Sequence, residues 1–276
     1  MSPLTWRRAV ALLTVVLLVG LVSGTAGARA ADVHGDDEAD RYIGTGGLIL
    51  PPSVGVDLRT EVARCAGCGW RLSSPCQLVD AGNPFSGTPV CLSVVRGCPA
   101  MAELLRAWFR PVDGPWREIG LVCIGIDGPV TVLDVGRRVH DRIVATLPPQ
   151  RPSRQPATGA VSQLPVVFDS GQSSEGLSGA LMLAGQAVTI AAQPAWRWDF
   201  GDGAVLATSD PGGAFPDDSV THPYRAAGTY RVRLTTTWAA TFDVDGLGPF
   251  PVPGDVSQAV TVAVPVGEGR AVLAVR

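Results

Sequence analysis

Lysine is absent from this chain of 276 residues, and all 22 basic residues are arginine. A Walker P-loop, a Schiff-base cofactor and a kinase-type nucleotide clamp all need lysine, so its absence excludes these three kinds of site. Histidine is also scarce, because only His34, His140 and His222 occur, each in a different region. A catalytic site built on histidine is therefore difficult to assemble, and no Gly-x-Ser-x-Gly or His-Glu-x-x-His motif is present.

Aromatic residues are few, at 6% of the chain, whereas glycine and proline number 33 and 23. This composition favours short strands joined by turns over long helices. The net charge of -3 and the scattered arginines argue against bulk nucleic-acid binding. The sequence thus predicts a mainly β protein with no nucleic-acid partner.

A long apolar run occurs at the N-terminus, where Ala9 to Val22 follow Trp6-Arg7-Arg8. The run suits a signal-peptide core and is shorter than the roughly 20 residues that span a bilayer. Ala28-Arg29-Ala30 supplies a small-x-small cleavage pattern. We expect residues 1–30 to be a signal peptide, with an uncleaved anchor as the alternative, and no membrane span after cleavage. The acidic residues that follow predict a flexible lead over residues 31–63.

All six cysteines lie close together in the chain, which predicts either disulfides or a metal or redox site. The export signal favours disulfides, whose pairing the sequence leaves open among 15 possibilities. No second Cys-x-x-Cys and no nearby histidine support zinc. The residues are Cys65, Cys68, Cys76, Cys91, Cys98 and Cys123.

Residues 64–147 are expected to form a small disulfide-rich α+β segment. Helical spacing of apolar residues predicts a helix from Pro99 to Phe109, and the apolar run from Ile119 to Ile126 predicts a buried strand. Trp70, Trp108 and Trp116 are expected to fill its core.

A connecting helix is predicted from Asp134 to Leu147, because Val135, Val139 and Ile143 recur every four residues. Its arginines form a solvated face. The proline-rich residues 148–160 cannot continue a helix and should form a semi-rigid linker. We therefore expect a domain boundary near residue 150.

The strongest motif begins at Trp196, where aromatic residues alternate with Arg197 and Asp199 in the pattern of a half-buried strand. The strand ends in Gly201-Asp202-Gly203, which marks a tight turn. His222-Pro223-Tyr224 follows a loop, and Gly228 then precedes a second alternating strand through Tyr230 to Leu234.

These blocks resemble the hallmark of the PKD domain family, an immunoglobulin-like β-sandwich. The motif residues are Trp198, Phe200, Gly201, Asp202, Gly203, His222, Tyr224, Gly228 and Tyr230. The layout of signal, cysteine segment, proline-rich joint and terminal module also resembles that of actinobacterial exported proteins with a PKD domain. The resemblance implies a sandwich over residues 161–276 that contacts proteins or polysaccharides through its loops or an exposed sheet face.

Further strands of the sandwich are predicted at 164–169, 187–192 and 256–264, and residues 205–220 should form a long loop. Trp198, Phe200, Tyr230, Val232 and Leu234 are the core candidates. Trp196 and Trp238 are expected to be partly exposed, which makes them candidate binding residues.

No metal site is predicted. Asp199 and Asp202, with Asp243 and Asp245, could hold calcium, but that ion needs six to eight oxygens and turn stabilisation is the preferred interpretation. His222 is expected to be a structural histidine, and no cofactor is expected.

These patterns together predict a secreted or cell-surface protein without catalytic activity. Its association with the cell envelope is left open by the sequence. Its sandwich would mediate interaction with an extracellular protein or polysaccharide, or act as a spacer. One alternative is an accessory component of a pilus or secretion machine that binds through the cysteine-rich segment. An extracellular enzyme is the third hypothesis.

Overall fold

The computed structural model describes residues 33–34, 40–75, 97–183 and 185–269. The architecture is mainly β, with two helices in the described residues. Neither helix is long and apolar enough to cross a membrane. The expected signal peptide, Cys76 and Cys91 lie outside the described residues.

The N-terminal half is a five-stranded antiparallel sheet with a helix packed on one face. Leu48, Leu50 and Val62 are fully buried in its core. The expected flexible lead is therefore wrong for residues 40–63, because these apolar side chains anchor the segment. The elements are β1 (Val33–His34), β2 (Asp40–Thr45), α1 (Val56–Arg64), β3 (Gly69–Ser73), β4 (Ala102–Arg110) and β5 (Arg117–Gly125).

The helix predicted from Pro99 to Phe109 is wrong, because this segment forms β4 between β3 and β5. Leu105, Ala107 and Phe109 are buried at every second position, which is the period of a strand. Several apolar residues in a short run fit both periods, and pairing with two neighbouring strands decides between them. The strand predicted from Ile119 to Ile126 is confirmed as part of β5, but only Val122 and Ile124 are buried, so the prediction that the whole run is buried is wrong.

The three tryptophans of this half occupy different environments. Trp70 is fully buried in the core, as expected. Trp108 is buried outside that core, and its indole N–H donates to Ser73 Oγ at 3.2 Å. Trp116 is half-buried with the guanidinium groups of Arg71 and Arg110 about 5 Å from its ring, so the prediction that it fills the core is wrong.

The second helix, α2 (Val132–Thr146), confirms the helix predicted from Asp134. Its first turn is closed by a capping box in which Thr131 Oγ1 accepts from the Asp134 N–H and Asp134 Oδ2 accepts from the Thr131 N–H. Pro148 follows its last residues and prevents continuation. Val135, Val139 and Ile143 are buried on one face of the helix.

The C-terminal half contains a seven-stranded and a three-stranded sheet. The large sheet has the order β11-β10-β13-β15-β7, with β9 also paired to β10 and β14 to β13, and the small sheet has the order β12-β8-β6. The strands are β6 (Ser153–Gln155), β7 (Ala160–Val161), β8 (Pro165–Asp169), β9 (Leu177–Leu183), β10 (Gln186–Asp199), β11 (Val205–Thr208), β12 (Thr221–Pro223), β13 (Gly228–Val244), β14 (Phe250–Pro251) and β15 (Ser257–Gly267).

The two strands expected at 187–192 and from Trp196 onward form one long strand, β10, that passes through Pro194. Pro194 lies opposite Trp238 of β13, whose N–H donates to Val256 O on the side away from β10. The nitrogen of Pro194 therefore points away from β13, into the gap between β9 and β11. A proline is tolerated there because no ladder hydrogen bond is lost.

The inner face of β10 and β13 carries two successive hydrophobic cores. The small sheet covers the first, the sandwich core, where Trp198, Phe200, Val232 and Leu234 are buried as predicted. Tyr230 is only half-buried at its edge. The second, the helix-side core, lies farther along the same face and is covered by α2. Its buried members are Ile49, Ala63, Val135, Val139, Ile143, Val188, Ala192, Trp238, Phe242, Val244, Leu247, Phe250 and Val256.

A polar cluster lies between the two cores. Gln172 Oε1 accepts from Trp196 Nε1 at 3.0 Å and from Thr236 Oγ1 at 2.7 Å. Gln172 Nε2 donates to Pro148 O at 2.9 Å. Gln172, Thr236 and Trp196 are buried, so these hydrogen bonds satisfy polar groups that would otherwise be costly inside the protein.

Two arginines of α1 hold the loop that follows β13. Arg59 is 7% exposed and donates to Leu50 O and to Asp245 Oδ2, at 3.1 and 3.3 Å. Arg64 donates to the carbonyls of Leu247 and Gly248, at 3.1 and 2.6 Å. The N-terminal half therefore contributes both apolar and polar contacts to the C-terminal sheet.

The proline-rich segment is built into the sandwich rather than extended between two bodies. β6 pairs with β8, and Arg154 donates to Ala263 O. The expected linker character is therefore wrong for residues 153–155, since strand pairing holds them. The domain boundary expected near residue 150 stays a prediction from the sequence, and residues on both sides of it, in α2 and in the C-terminal sheet, share the helix-side core.

Candidate functional site

The Trp-x-Phe-Gly-Asp-Gly motif forms the end of β10 and the turn after it. Trp198 and Phe200 point into the sandwich core, and Asp199 Oδ1 accepts from the Gly201 N–H at 3.0 Å. Gly201 has φ of 80°, and a Cβ there would lie 2.7 Å from Arg231 O. Only glycine fits such a close approach with a left-handed backbone.

The three motif blocks meet in a stack of rings at this end of the sandwich. The His222 ring stacks on Phe200 with centroids 4.2 Å apart, and Tyr224 meets His222 edge-on at 4.7 Å. Tyr230 stacks on Tyr224 at 4.2 Å. The hydroxyl of Tyr224 donates to Phe200 O, which ties the second block to the first.

His222 is held by Asp202, because its Nε2 lies 2.7 Å from Asp202 Oδ2. The other carboxylate oxygen of Asp202 accepts from the Ala204 N–H at 3.0 Å. Aromatic rings on two sides and a turn carboxylate satisfy this histidine, which gives it the surroundings of a framework residue.

Two groups in this stack have displaced pKa values. Burial raises the pKa of Asp202, but hydrogen bonds from His222 and Ala204 and the charge of His222 together outweigh burial and hold it below 3.8. Burial, with the nearby Asp202 and Tyr230, raises the pKa of the Tyr224 hydroxyl well above its ordinary value. Tyr224 therefore stays a neutral hydrogen-bond donor.

Replacing Asp202 with Asn is expected to make the free energy of unfolding fall less steeply as the pH is lowered. Because folding lowers the pKa of Asp202, its carboxylate stabilises the folded state fully above pH 3.8. This stabilisation is lost as the pH falls through the lower pKa of the folded state. Urea unfolding at a series of pH values should show a steeper decline below about pH 4 for the wild type than for D202N. Asp113→Asn, at an exposed position, is the control. Equal slopes for the wild type and D202N would contradict this prediction.

The acidic residues considered for calcium are engaged in turns. Asp243 accepts from the N–H groups of Gly246 and Gly248, at 2.6 and 2.7 Å. Asp245 accepts from the Ala187 N–H and pairs with Arg59. In the described part of the chain, no three His, Cys, Asp or Glu residues are grouped to hold a metal ion.

Cys65 is disulfide-bonded to Cys68, and Cys98 to Cys123. The Cys-x-x-Cys pair begins at the C-terminal end of α1. Reactive thiols of this type gain acidity from a helix N-terminus, whereas a C-terminus carries the opposite partial charge. The position therefore favours a structural disulfide over a redox-active pair.

Trp196 and Trp238 are buried, with 1% and 3% of their surface exposed, so the expectation that they are partly exposed is wrong. Both occupy even positions of their strands and point inward, Trp196 into the sandwich core and Trp238 into the helix-side core. Trp196 continues the alternation of the motif strand into the sandwich core, whereas Trp238 lies beyond that core, where α2 covers the sheet. The predicted loop at 205–220 also begins with a strand, β11.

The accessible surface of the large sheet is its outer face, formed by the odd-numbered side chains of β10, β13 and β15. Most of these side chains are exposed Thr, Ala and Ser. Arg197, Arg231 and Arg233 stand together on this face and are exposed. Arg233 lies opposite Asp199 on β10, and Arg197 opposite Thr235 on β13. Sequence alternation already contained this signal, in the odd positions between the motif residues.

Residues 158–239 match the family model described as PKD domain. No curated protein matches this chain. The matched region contains the motif turn, the ring stack and most of β10 and β13, and the sandwich around them agrees with the immunoglobulin-like fold of that family. The protein therefore contains a PKD domain.

Proposed function

We propose that this is an exported or cell-surface protein without catalytic activity, whose PKD domain presents the outer face of the large sheet to an anionic polysaccharide. A PKD domain is an extracellular, immunoglobulin-like module for interaction or spacing and is generally non-catalytic. The disulfides fit an oxidising, extracellular location.

One observation carries the proposal: three exposed arginines lie within a small area of an open sheet. Arg231 and Arg233 are about 7 Å apart along β13, and Arg197 on β10 is about 8 Å diagonally from Arg233, which lies directly opposite Asp199. Within the described residues no ion pair engages these three guanidinium groups. Guanidinium groups bind carboxylates through paired hydrogen bonds, so this patch suits a polymer with regularly spaced carboxylates.

The rest of the protein supports a rigid presentation of this face. The inner face of the same strands is covered by the small sheet and by α2, and Arg59 and Arg64 hold the loop after β13. A fixed backbone keeps the three arginines in position before binding, which lowers the entropic cost of association.

Replacing Arg197, Arg231 and Arg233 together with Ser is expected to weaken binding to polygalacturonate by at least about tenfold. Affinity electrophoresis of the full mature chain measures the retardation. Binding should fall as salt rises from about 0.05 to 0.5 M, because exposed charges are screened.

Replacing Arg137, Arg138 and Arg151 with Ser is the matched control, since these exposed arginines remove the same charge away from the outer face. If both triple variants lost binding to polygalacturonate equally, net charge alone would explain the binding. Equal retardation by neutral dextran, or none by either polymer, would refute the polysaccharide proposal.

A further inference from the structure

The free edge of β9 is an open pairing site. β9 pairs with β10 along one edge, and no strand in the described ranges pairs with the other. Its seven residues, Leu-Ser-Gly-Ala-Leu-Met-Leu, include no charge and no proline, and its pairing with β10 has no bulge. Monomeric proteins usually protect edge strands with one of these devices.

The register of the large sheet decides which backbone groups this edge offers. Pro194 points away from β13, so even-numbered residues of β10 direct their hydrogen-bonding groups toward β9. The even-numbered residues of β10 lie opposite the odd-numbered residues of β9. The backbone N–H and C=O groups of Ser178, Ala180 and Met182 therefore point away from β10, toward the free edge.

The side chains of β9 also divide between two faces. Leu177, Leu181 and Leu183 pack against the helix-side core. Met182 is 65% exposed and projects with Ser178 and Ala180 on the outer face. A groove beside the strand is lined by Leu177 to Leu181 and by Arg142, Ile143 and Thr146 of α2. An added strand would thus extend both the sheet and an existing hydrophobic core.

We propose that the occupant of this edge is a second copy of the same strand, paired antiparallel about a two-fold axis through Ala180. In this register Ala180 faces its own copy, Ser178 faces Met182, Leu177 faces Leu183 and Gly179 faces Leu181. The outward-pointing residues then form hydrogen-bonded pairs with one another, and the leucines of both copies lie on one side.

Self-pairing is the association that this composition favours. A two-fold contact brings identical groups close together, so charges on the strand would repel their own copies, and β9 has none. β9 itself carries no charge that would select an acidic or basic peptide, and the charged residue of the adjoining groove is Arg142 of α2. Because one strand pair with its flanking helices is a small interface, the dimer should be weak and depend on concentration.

The proposed dimer would also affect how the protein binds a polymer. A two-fold axis perpendicular to the sheet keeps the outer faces of both copies on the same side. The arginines at positions 197, 231 and 233 of the two copies would then face one surface, which raises avidity for an extended polymer. The dimer itself does not depend on that polymer.

Three substitutions at Ala180 test the pairing in the full mature chain by sedimentation velocity over a concentration series. Ala180→Pro removes an outward N–H without disturbing the β10 ladder, and should weaken dimerisation by at least about tenfold. Ala180→Lys and Ala180→Glu each place like charges at the axis and should also give monomers. An equimolar mixture of the Lys and Glu variants should restore the dimer, because opposite charges then meet.

Ala259→Lys, on the outer face of β15, is the matched control and should dimerise like the wild type. Circular dichroism melts verify that every variant is folded. A wild-type chain that stays monomeric at all concentrations overturns the proposal. So does a dimer that is unaffected by Ala180→Pro, or a Lys and Glu mixture that stays monomeric.

Discussion

A fragment of residues 151–276 is expected to form no cooperatively folded, soluble unit, although it contains the whole matched region at 158–239. Without the preceding residues, the helix-side core loses its cover. Trp238, Phe242 and Leu247, which are at most 3% exposed in the full chain, would then face water together with the rest of that core. A large apolar patch of this kind favours aggregation. Near-UV circular dichroism and urea unfolding measure the outcome.

The control fragment spans residues 130–276 and keeps α2. Val135, Val139 and Ile143 can then cover the same core, so we expect a cooperative transition to return. Its midpoint should stay below that of the full chain, because Arg59 and Arg64 of α1 are missing. If both fragments unfolded at the same urea concentration, α2 would not be part of the folding unit.

The substitution Phe242→Ala is expected to destabilise the protein by about 3–5 kcal/mol. Phe242 is 2% exposed, and its ring lies 5.5 Å from that of Phe250. The helix also approaches closely here, since a Cβ on Gly136 would lie 3.1 Å from Phe242 Cε1. The tight packing leaves little room for neighbours to fill the cavity, which places the cost toward the upper part of the range. Urea unfolding of the full chain gives the free energy.

Phe215→Ala is the matched control for Phe242→Ala, because it removes the same atoms from a side chain that is 74% exposed. Its effect should stay within about 0.5 kcal/mol of zero. Comparable losses for the two variants would argue against burial in the helix-side core as the source of the stability.

The C-terminal motif was readable from the sequence because its features are local. Alternation placed Trp198, Phe200, Val232 and Leu234 inside, and the glycines of the Gly-Asp-Gly turn adopt the positive φ that the turn requires. α2 was also predicted, since its apolar residues recur every four positions and a strand would place the charged Arg137 and Asp141 on the same face as them.

Local sequence patterns do not predict the structure where a distant segment decides it. The short apolar run of β4 fits both a helix and a strand, and pairing with β3 and β5 selects the strand. The burial of Trp238 depends on α2, and Trp196 donates to Gln172, 24 residues earlier in the chain, so neither contact is visible from neighbouring residues.

The order of residues by itself determined the strand faces, the glycine-dependent turn and the helix that precedes Pro148, because each depends on neighbours within a few positions. Tertiary structure alone decided that β10 and β13 run through two cores, that α2 covers the second, and that an uncharged strand edge and three arginines remain accessible. The physical reason is that burial depends on which segments meet in space, and such contacts join residues far apart in the chain.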